Sequence, residues 1–229
     1  MGRLVYRIQD LIGFNYTSDA DDILSEDQAL ETACVEVIDA LPDSYLLKFA
    51  VKPVSLHSAN EDTGFPTSGR KTIRVVRKDS GNVKRVCQEV DIDAFEEMKD
   101  TNSIYHPTRH SPIYTLDATS GTTYLKILPQ LTGGAGSANS ADVFYISYPS
   151  GSDLSSTANS IDGLPNEAEH AVALKASIYI LQTKISDAVQ DEEDDEMLNM
   201  LQVQLQSLMA MYTAEMSRLS QIEPEEKQQ

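Results

Sequence analysis

Two histidines four residues apart, His106 and His110, are the first place in this sequence where metal chemistry suggests itself. On a helix that spacing sets two imidazoles on one face, half of a zinc site. The surrounding phrase HPTRHSP, with Pro107 and Pro112, reads instead as a loop or the start of a strand, and no third ligand stands nearby. Exposed or hydrogen-bonded loop histidines are therefore expected, and His57 and His170 each stand alone. Gly133, Gly134, Gly136 and Ser137 would cradle a phosphate only beside the lysine and helix of a P-loop, which the sequence does not supply, so a flexible hairpin tip is expected. No GxSxG elbow, HExxH pair or EF-hand spacing occurs. Some pair among the 36 acids could act as catalytic carboxylates, but nothing in the spacing selects one. The expectation is a chain with no catalytic residue, no cofactor and no metal.

The two cysteines, Cys34 and Cys87, lie far apart and outside any CxxC or Cys/His spacing, so they read as small buried hydrophobes in a reducing compartment. The opening MGRLVYRIQDLIGFN is broken by Arg3, Arg7 and Asp10 and does not read as a secretory signal. Tyr6 stands where a myristoylation motif wants Ser or Thr, and the triplet Asn15, Tyr16, Thr17 matters only in a secreted chain. No apolar run approaches the roughly 20 residues of a membrane span.

Charge excludes more. With 36 Asp and Glu against 18 Lys and Arg, the net charge is -18. Gripping phosphates or anionic lipid requires clustered cations, so nucleic-acid binding and membrane binding are not expected as main functions. An acidic surface serves solubility first, and it would also suit a wall past which DNA moves without sticking. The basic cluster Arg70, Lys71, Arg74, Arg77, Lys78, Lys84 and Arg85 flanks a predicted hairpin, where alternation would spread it over a solvated strand surface or a contact to an acidic neighbour.

Periodicity divides the chain into an N-terminal helical block (1–50), a β-rich middle (51–150), a C-terminal helical hairpin (164–219) and a tail (220–229). In the first block Leu4, Ile8, Leu11 and Ile12 line one helical face, and Gly13 ends it. Ser25 with Gln28 announces a capping box, Leu30, Ala33, Cys34, Val37, Ile38 and Leu41 follow as a stripe, and Pro42 stops it. A helical turn or two is expected from Ser44 to Phe49. The middle carries TIRVVRK from Thr72, NVKRVCQEV from Asn82, PIYTLDA from Pro112, TTYLKIL from Thr122 and DVFYISYP from Asp142. All are rich in β-branched and aromatic residues. Turn residues Asp79 to Asn82 and Thr119 to Gly121 predict two antiparallel hairpins, and DAFEEMK from Asp93 predicts a short helix between them.

After Pro165 come two apolar seams. The first holds Ala171, Leu174, Ile178, Leu181 and Ile185, and the second holds Leu198, Leu201, Leu205, Leu208, Tyr212 and Leu219. The acidic run Asp191 to Glu196 separates them, so an antiparallel helix pair is expected. Met197, Met200, Met209, Met211 and Met216 in the second helix are expected to fill core. The fold class is α+β: a helical bundle formed by the N- and C-terminal helices, with an antiparallel β-rich middle insertion.

In that order, the phrases LSEDQALETACVEVIDALPDSYLLKFA, YHPTRHSPIYTL and LPNEAEHAVALKASIYILQTKISDAVQDEEDDEMLNMLQVQLQSLMAMY resemble the head-to-tail adaptor (connector) proteins of tailed bacteriophages. The resemblance implies a non-enzymatic virion neck subunit that self-associates into a ring, commonly of about twelve copies. It implies a portal protein on one side, a tail or nozzle protein on the other, and a channel through which DNA passes without specific binding. It implies assembly in the bacterial host cytoplasm, no membrane partner, and a C-terminal tail that docks on the portal. On this chain that tail is SQIEPEEKQQ, with Ile222, Glu223, Pro224 and Glu225 as the partner-binding residues. The β middle is larger than the family pattern, which keeps a head-completion, tail or fibre role beside the adaptor role. A small enzyme or binding module built on a carboxylate site is the alternative from another class.

Overall fold

Ser25 accepts a hydrogen bond from the Gln28 N–H while the Gln28 side chain accepts one from the Ser25 N–H, so the expected capping box opens a helix. In the computed structural model the described residues are 3–13, 25–49, 52–56, 64–119, 121–131, 139–149, 161, 164–190 and 195–221. They form an α+β protein whose chain divides into two units, one of Met1–Ala50 with Tyr148–Gln229 and one of Val51–Ser147.

The helical unit holds α1 (Arg3–Ile12), α2 (Glu26–Ala40), α3 (Asp43–Phe49), α5 (Asn166–Gln190) and α6 (Asp195–Ser220). Gly13, at φ +76°, ends α1 by turning its N–H back to the Gln9 carbonyl. The centre of the unit is α5, which packs against α1, α2 and α6. Ala171, Val172, Ala173 and Leu174 are all buried, and four consecutive residues point in every direction around a helix. The sequence showed one seam here; the structure buries this stretch of α5 on all sides because neighbours surround it. By contrast α6 buries only Leu201, Leu208 and Leu219, the side that meets α5.

The β-rich unit contains two four-stranded sheets and the short helix α4 (Ile92–Glu97). One sheet has the order β1 (Lys52–Leu56), β8 (Ser140–Ser147), β3 (Arg70–Lys78), β4 (Lys84–Val86). The other has the order β2 (Phe65–Pro66), β7 (Thr122–Leu128), β6 (Ile113–Thr119), β5 (Gln88–Glu89). Both expected hairpins form: β3 pairs with β4 and β6 with β7, each antiparallel. Asn82 at φ +62° and Gly121 at φ +80° supply the left-handed turn positions. Val75, Ala141 and Val143 from one sheet meet Tyr114, Leu125 and Ile127 from the other in a shared core. On β8 it is the Val143 and Tyr145 face that packs into this core. Phe95 of α4 packs with Ile113 and Leu128.

Two differences from the sequence reading have physical causes. NVKRVCQEV is not one strand: at Cys87 the chain leaves β3, with its N–H on the Val75 carbonyl, and then runs parallel to β6 through Gln88 N–H on the Pro112 carbonyl. One apolar, β-branched run thus serves two sheets. The strand β1 escaped notice because it contains Pro53; at the edge of a sheet a residue without an N–H is tolerated.

Candidate functional site

His106 and His110 sit in a hydrogen-bonded turn between α4 and β6. His106 Nδ1 lies 3.0 Å from the Met98 carbonyl oxygen, and His110 Nε2 accepts from Arg109 Nε at 3.3 Å. Each imidazole is engaged locally, and among the described residues no group of three His, Cys, Asp or Glu could hold a metal ion. Cys34 lies buried in α2 and Cys87 buried between β4 and β5; burial pushes each thiol up to about 12. His57, the glycine-rich stretch 133–137, the triplet 15–17 and the tail residues Ile222, Glu223, Pro224 and Glu225 lie outside the described residues.

Part of the basic cluster is engaged within its own unit. Arg70 stacks over the rings of Tyr145, at 4.6 Å, and Phe65, at 5.6 Å. Arg77 is buried and donates from Nε to the Pro129 carbonyl at 3.2 Å and from Nη2 to the Gln130 carbonyl at 3.5 Å; desolvation lowers its pKa. Asp79 organises the β3–β4 turn. Its Oδ1 accepts from the N–H groups of Gly81 and Val83, at 2.9 and 3.0 Å, and its Oδ2 accepts from Arg85 at 2.6 Å. The Val83 N–H first, and then Arg85, hold this carboxyl below its usual range. Lys84 pairs with Asp142 at 3.4 Å. Of the cluster, Arg74 is an exposed cation on the strand.

In the helical unit charges tie elements together at the rim. Glu36 of α2 accepts from the Tyr179 hydroxyl of α5 and pairs with Lys175 at 2.9 Å, and Lys175 lies over the ring of Tyr212 on α6. The Tyr179 hydroxyl is the main reason that Glu36 titrates below its usual range. Gln204 of α6 donates to the last carbonyls of α1, Leu11 at 3.1 Å and Ile12 at 2.9 Å. Glu169, 1% exposed, accepts from the Ile161 N–H at 3.3 Å and faces Arg7 at 3.7 Å. Beside this pair Arg7, Asp10, Glu167, His170, Glu215 and Arg218 line a cleft of about 480 Å³. Glu215 and Arg218 already pair with each other at 2.7 Å. The mixed charges of this cleft nearly cancel; the Glu215–Arg218 pair lies within α6, and the Arg7–Glu169 pair links α1 to α5.

What the structure adds is apolar surface. Met197, Met200, Met209 and Met211, expected in the core, are exposed, because α6 is an outer helix whose inward side is already filled by leucines. Met200 is 70% and Val203 68% exposed. In the β-rich unit Ile104 is 90% and Tyr105 70% exposed at the tip of the turn that carries the histidines. That tip is held by Ser103 N–H on the Asp100 carbonyl and Tyr105 N–H on Ser103 Oγ, at 3.0 and 3.2 Å. The sequence signal for it was the apolar pair Ile104–Tyr105 set among turn formers, DTNS before and HPTRHSP after.

Compared with known proteins, the chain matches no protein-family model and no curated protein.

Proposed function

We propose that this chain is a structural, non-enzymatic subunit of a tailed-phage virion: a neck component that forms an oligomeric ring between the portal and the tail or nozzle and leaves a channel for DNA. Three features support the reading. The resemblance runs over all three blocks, with helices from both ends of the chain in one unit and the β-rich segment between them. The net charge of -18 suits a channel wall that does not hold DNA, and it acts by repulsion and not by any specific site. The observation that carries most weight is the exposure of large apolar side chains, Ile104 and Tyr105 on a hydrogen-bonded turn and Met200 and Val203 on a helix, since such surface is what assembly covers. The reading needs no cofactor and no membrane, and it places the protein in the host cytoplasm during assembly and in the neck afterwards.

The tail, with Ile222, Glu223, Pro224 and Glu225, is the docking element for the portal in this proposal. The test is deletion of Ser220 to Gln229, followed by circular dichroism and by incorporation into portal-containing particles imaged by electron microscopy. A truncated chain that keeps its helical signal and is lost from the particles supports the reading. One that still joins the ring removes the tail from the docking role, and a full-length chain that never joins portal rings removes the neck assignment itself. Density for the chain along the tail or in fibres would move it to the tail or fibre role within the same structural class.

A further inference from the structure

The net charge of the chain falls on one unit. Between Val51 and Ser147 there are 11 Asp and Glu and 11 Lys and Arg, while the remaining residues hold 25 acids and 7 bases and carry the whole of the -18. Within the neutral β-rich unit, cations gather on the outer side of the β3–β4 hairpin. There Arg74, Val76 and Lys78 of β3 alternate with the buried Val75 and Arg77, and Val86 and Lys84 of β4 stand directly opposite Val76 and Lys78. The Cys87 N–H on the Val75 carbonyl and the Asp79 N–H on the Val83 carbonyl mark the hydrogen-bonded rows. The Val76–Val86 and Lys78–Lys84 rows are therefore the ones whose side chains come closest. Two lysines directly opposed in such a row repel each other. Asp142, beside Val76 on β8, reaches Lys84 at 3.4 Å; it is one acid against three cations, and the Lys84 side chain stays 62% exposed.

We infer that this sheet face docks on helix α2 of a second copy, with β3 laid along the helix. The sequence of α2, EDQALETACVEVIDA, has five acids and no base. Its outer side sets exposed Glu31, half-buried Val35 and exposed Asp39 four residues apart, in one stripe. The two patterns match in chemistry and in pitch. Alternate residues of a strand are about 6.6 Å apart, and every fourth residue of a helix is about 6 Å further on. Glu31 of the second copy thus meets Lys78 and Lys84, its Val35 meets Val76 and Val86, and its Asp39 meets Arg74. An acid–valine–acid stripe lies on a base–valine–base one. The ends set the direction. Asp27, exposed one turn before Glu31, adds a second acid where the sheet has two lysines, and Asp39, which also accepts from the Tyr148 hydroxyl at 2.6 Å, falls to the single arginine. The contact brings the neutral unit of one chain to the acidic unit of the other, and the long-range repulsion between the two chains is screened beyond about 8 Å at physiological salt.

Such a contact joins two different surfaces, so it repeats head to tail from copy to copy. It goes beyond the neck reading and does not rest on it, since it belongs to the purified full-length protein with no portal present. Sedimentation velocity at physiological salt is expected to show association that grows with concentration. A sheet variant, Lys78→Glu with Lys84→Glu, and a helix variant, Asp27→Lys with Glu31→Lys, are each expected to sediment as monomers with the parent's circular dichroism signal. Mixed, the two are expected to associate again, because each offers the other its complement. Val35→Cys and Val86→Cys proteins are expected to cross-link to each other under mild oxidation, while Leu116→Cys, exposed on the other sheet, does not replace Val86→Cys; Cys34 and Cys87 are buried and do not compete. A parent that stays monomeric at every concentration, association unmoved by either charge variant, no recovery on mixing, or Leu116→Cys cross-linking as readily as Val86→Cys overturns the inference. Retention of a DNA fragment by the parent and not by the sheet variant gives the face to nucleic acid and overturns it as well. Failure to join portal rings is read in a different assay and bears on the neck reading alone.

Discussion

In the helical unit α5 hides Ala171, Val172, Ala173 and Leu174, buries Glu169 against Arg7 and leaves the Lys175–Glu36 pair at the rim, whereas the β-rich unit takes Arg77 and Asp79 inside. The first unit rests on apolar burial, worth about 1.5 to 3 kcal/mol for each large side chain removed from water. The second holds two turns in place with buried polar groups, Arg77 on backbone carbonyls and Asp79 on backbone N–H groups and Arg85. The difference teaches where each unit is vulnerable: to a charge in one, to the loss of a hydrogen bond or a proton balance in the other. Nature has placed one buried thiol in each, Cys34 and Cys87, so thiol labelling reports the opening of the two units separately.

The largest expected effect is from Leu174→Asp. A carboxylate at a position with no exposure costs several kcal/mol, against a total stability of about 5 to 15. The helical circular dichroism signal is expected to collapse and Cys34 to label rapidly. Retained protection at Cys87 in the same variant would show that the β-rich unit folds by itself, and simultaneous labelling would show that the two open together. A Leu174→Asp protein with the parent's unfolding midpoint would break the picture of α5 as the centre.

Arg77→Met should cost less, about 1 to 3 kcal/mol, because it strands the Pro129 and Gln130 carbonyls while sparing the apolar core. Here Cys87 is expected to label faster and Cys34 at the parent's rate. Unchanged Cys87 protection would mean that these two hydrogen bonds add nothing to the sheet.

Acid sharpens the comparison further. The Asp79 carboxyl titrates below the usual carboxylate range in the folded protein, so it contributes stability that is fully present above that range and is lost as pH falls from it through the lowered pKa. The β3–β4 turn should loosen on acidification, followed by the amide signals of Gly81 and Val83 in nuclear magnetic resonance spectra. In Asp79→Asn that pH dependence is expected to shrink. Persistence of the full acid response in the variant would assign it to other carboxylates, such as Glu36, which the Tyr179 hydroxyl holds low in the helical unit.

How much of this was legible beforehand depended on whether the information was local. The capping box at Ser25 and Gln28, the turn at Asp79 to Asn82 and the glycine at 121 each state their own geometry within a few residues, and each formed as read. Burial around α5 was not local: Val172 and Ala173 lie off the seam of threes and fours, and only the presence of α1 and α2 on the remaining sides buries them. The exposed methionines of α6 misled for the same reason, since a side chain's type does not tell which side of the helix its neighbours occupy. The passage of one run through two sheets at Cys87 depends on Val75 and Pro112, residues distant in sequence that no period reveals.

The smallest expected effect on folding is at the most exposed apolar point. Ile104 and Tyr105 stand at 90% and 70% exposure, so replacing both with serine removes almost no buried area. Substitutions of this kind usually change stability by no more than about 0.5 kcal/mol. The turn that carries them is held by backbone and serine hydrogen bonds, which the replacement keeps. Labelling at Cys34 and Cys87 should therefore match the parent. Incorporation into portal-containing particles should fall sharply if this tip is covered in the assembly, because an aromatic and an aliphatic side chain entering a partner's pocket together are the kind of contact on which binding depends most. Folding unchanged with incorporation lost would separate the surface role of the β-rich unit from its core; folding and incorporation both unchanged would leave the outer face of α6 as the apolar surface to which assembly must be traced.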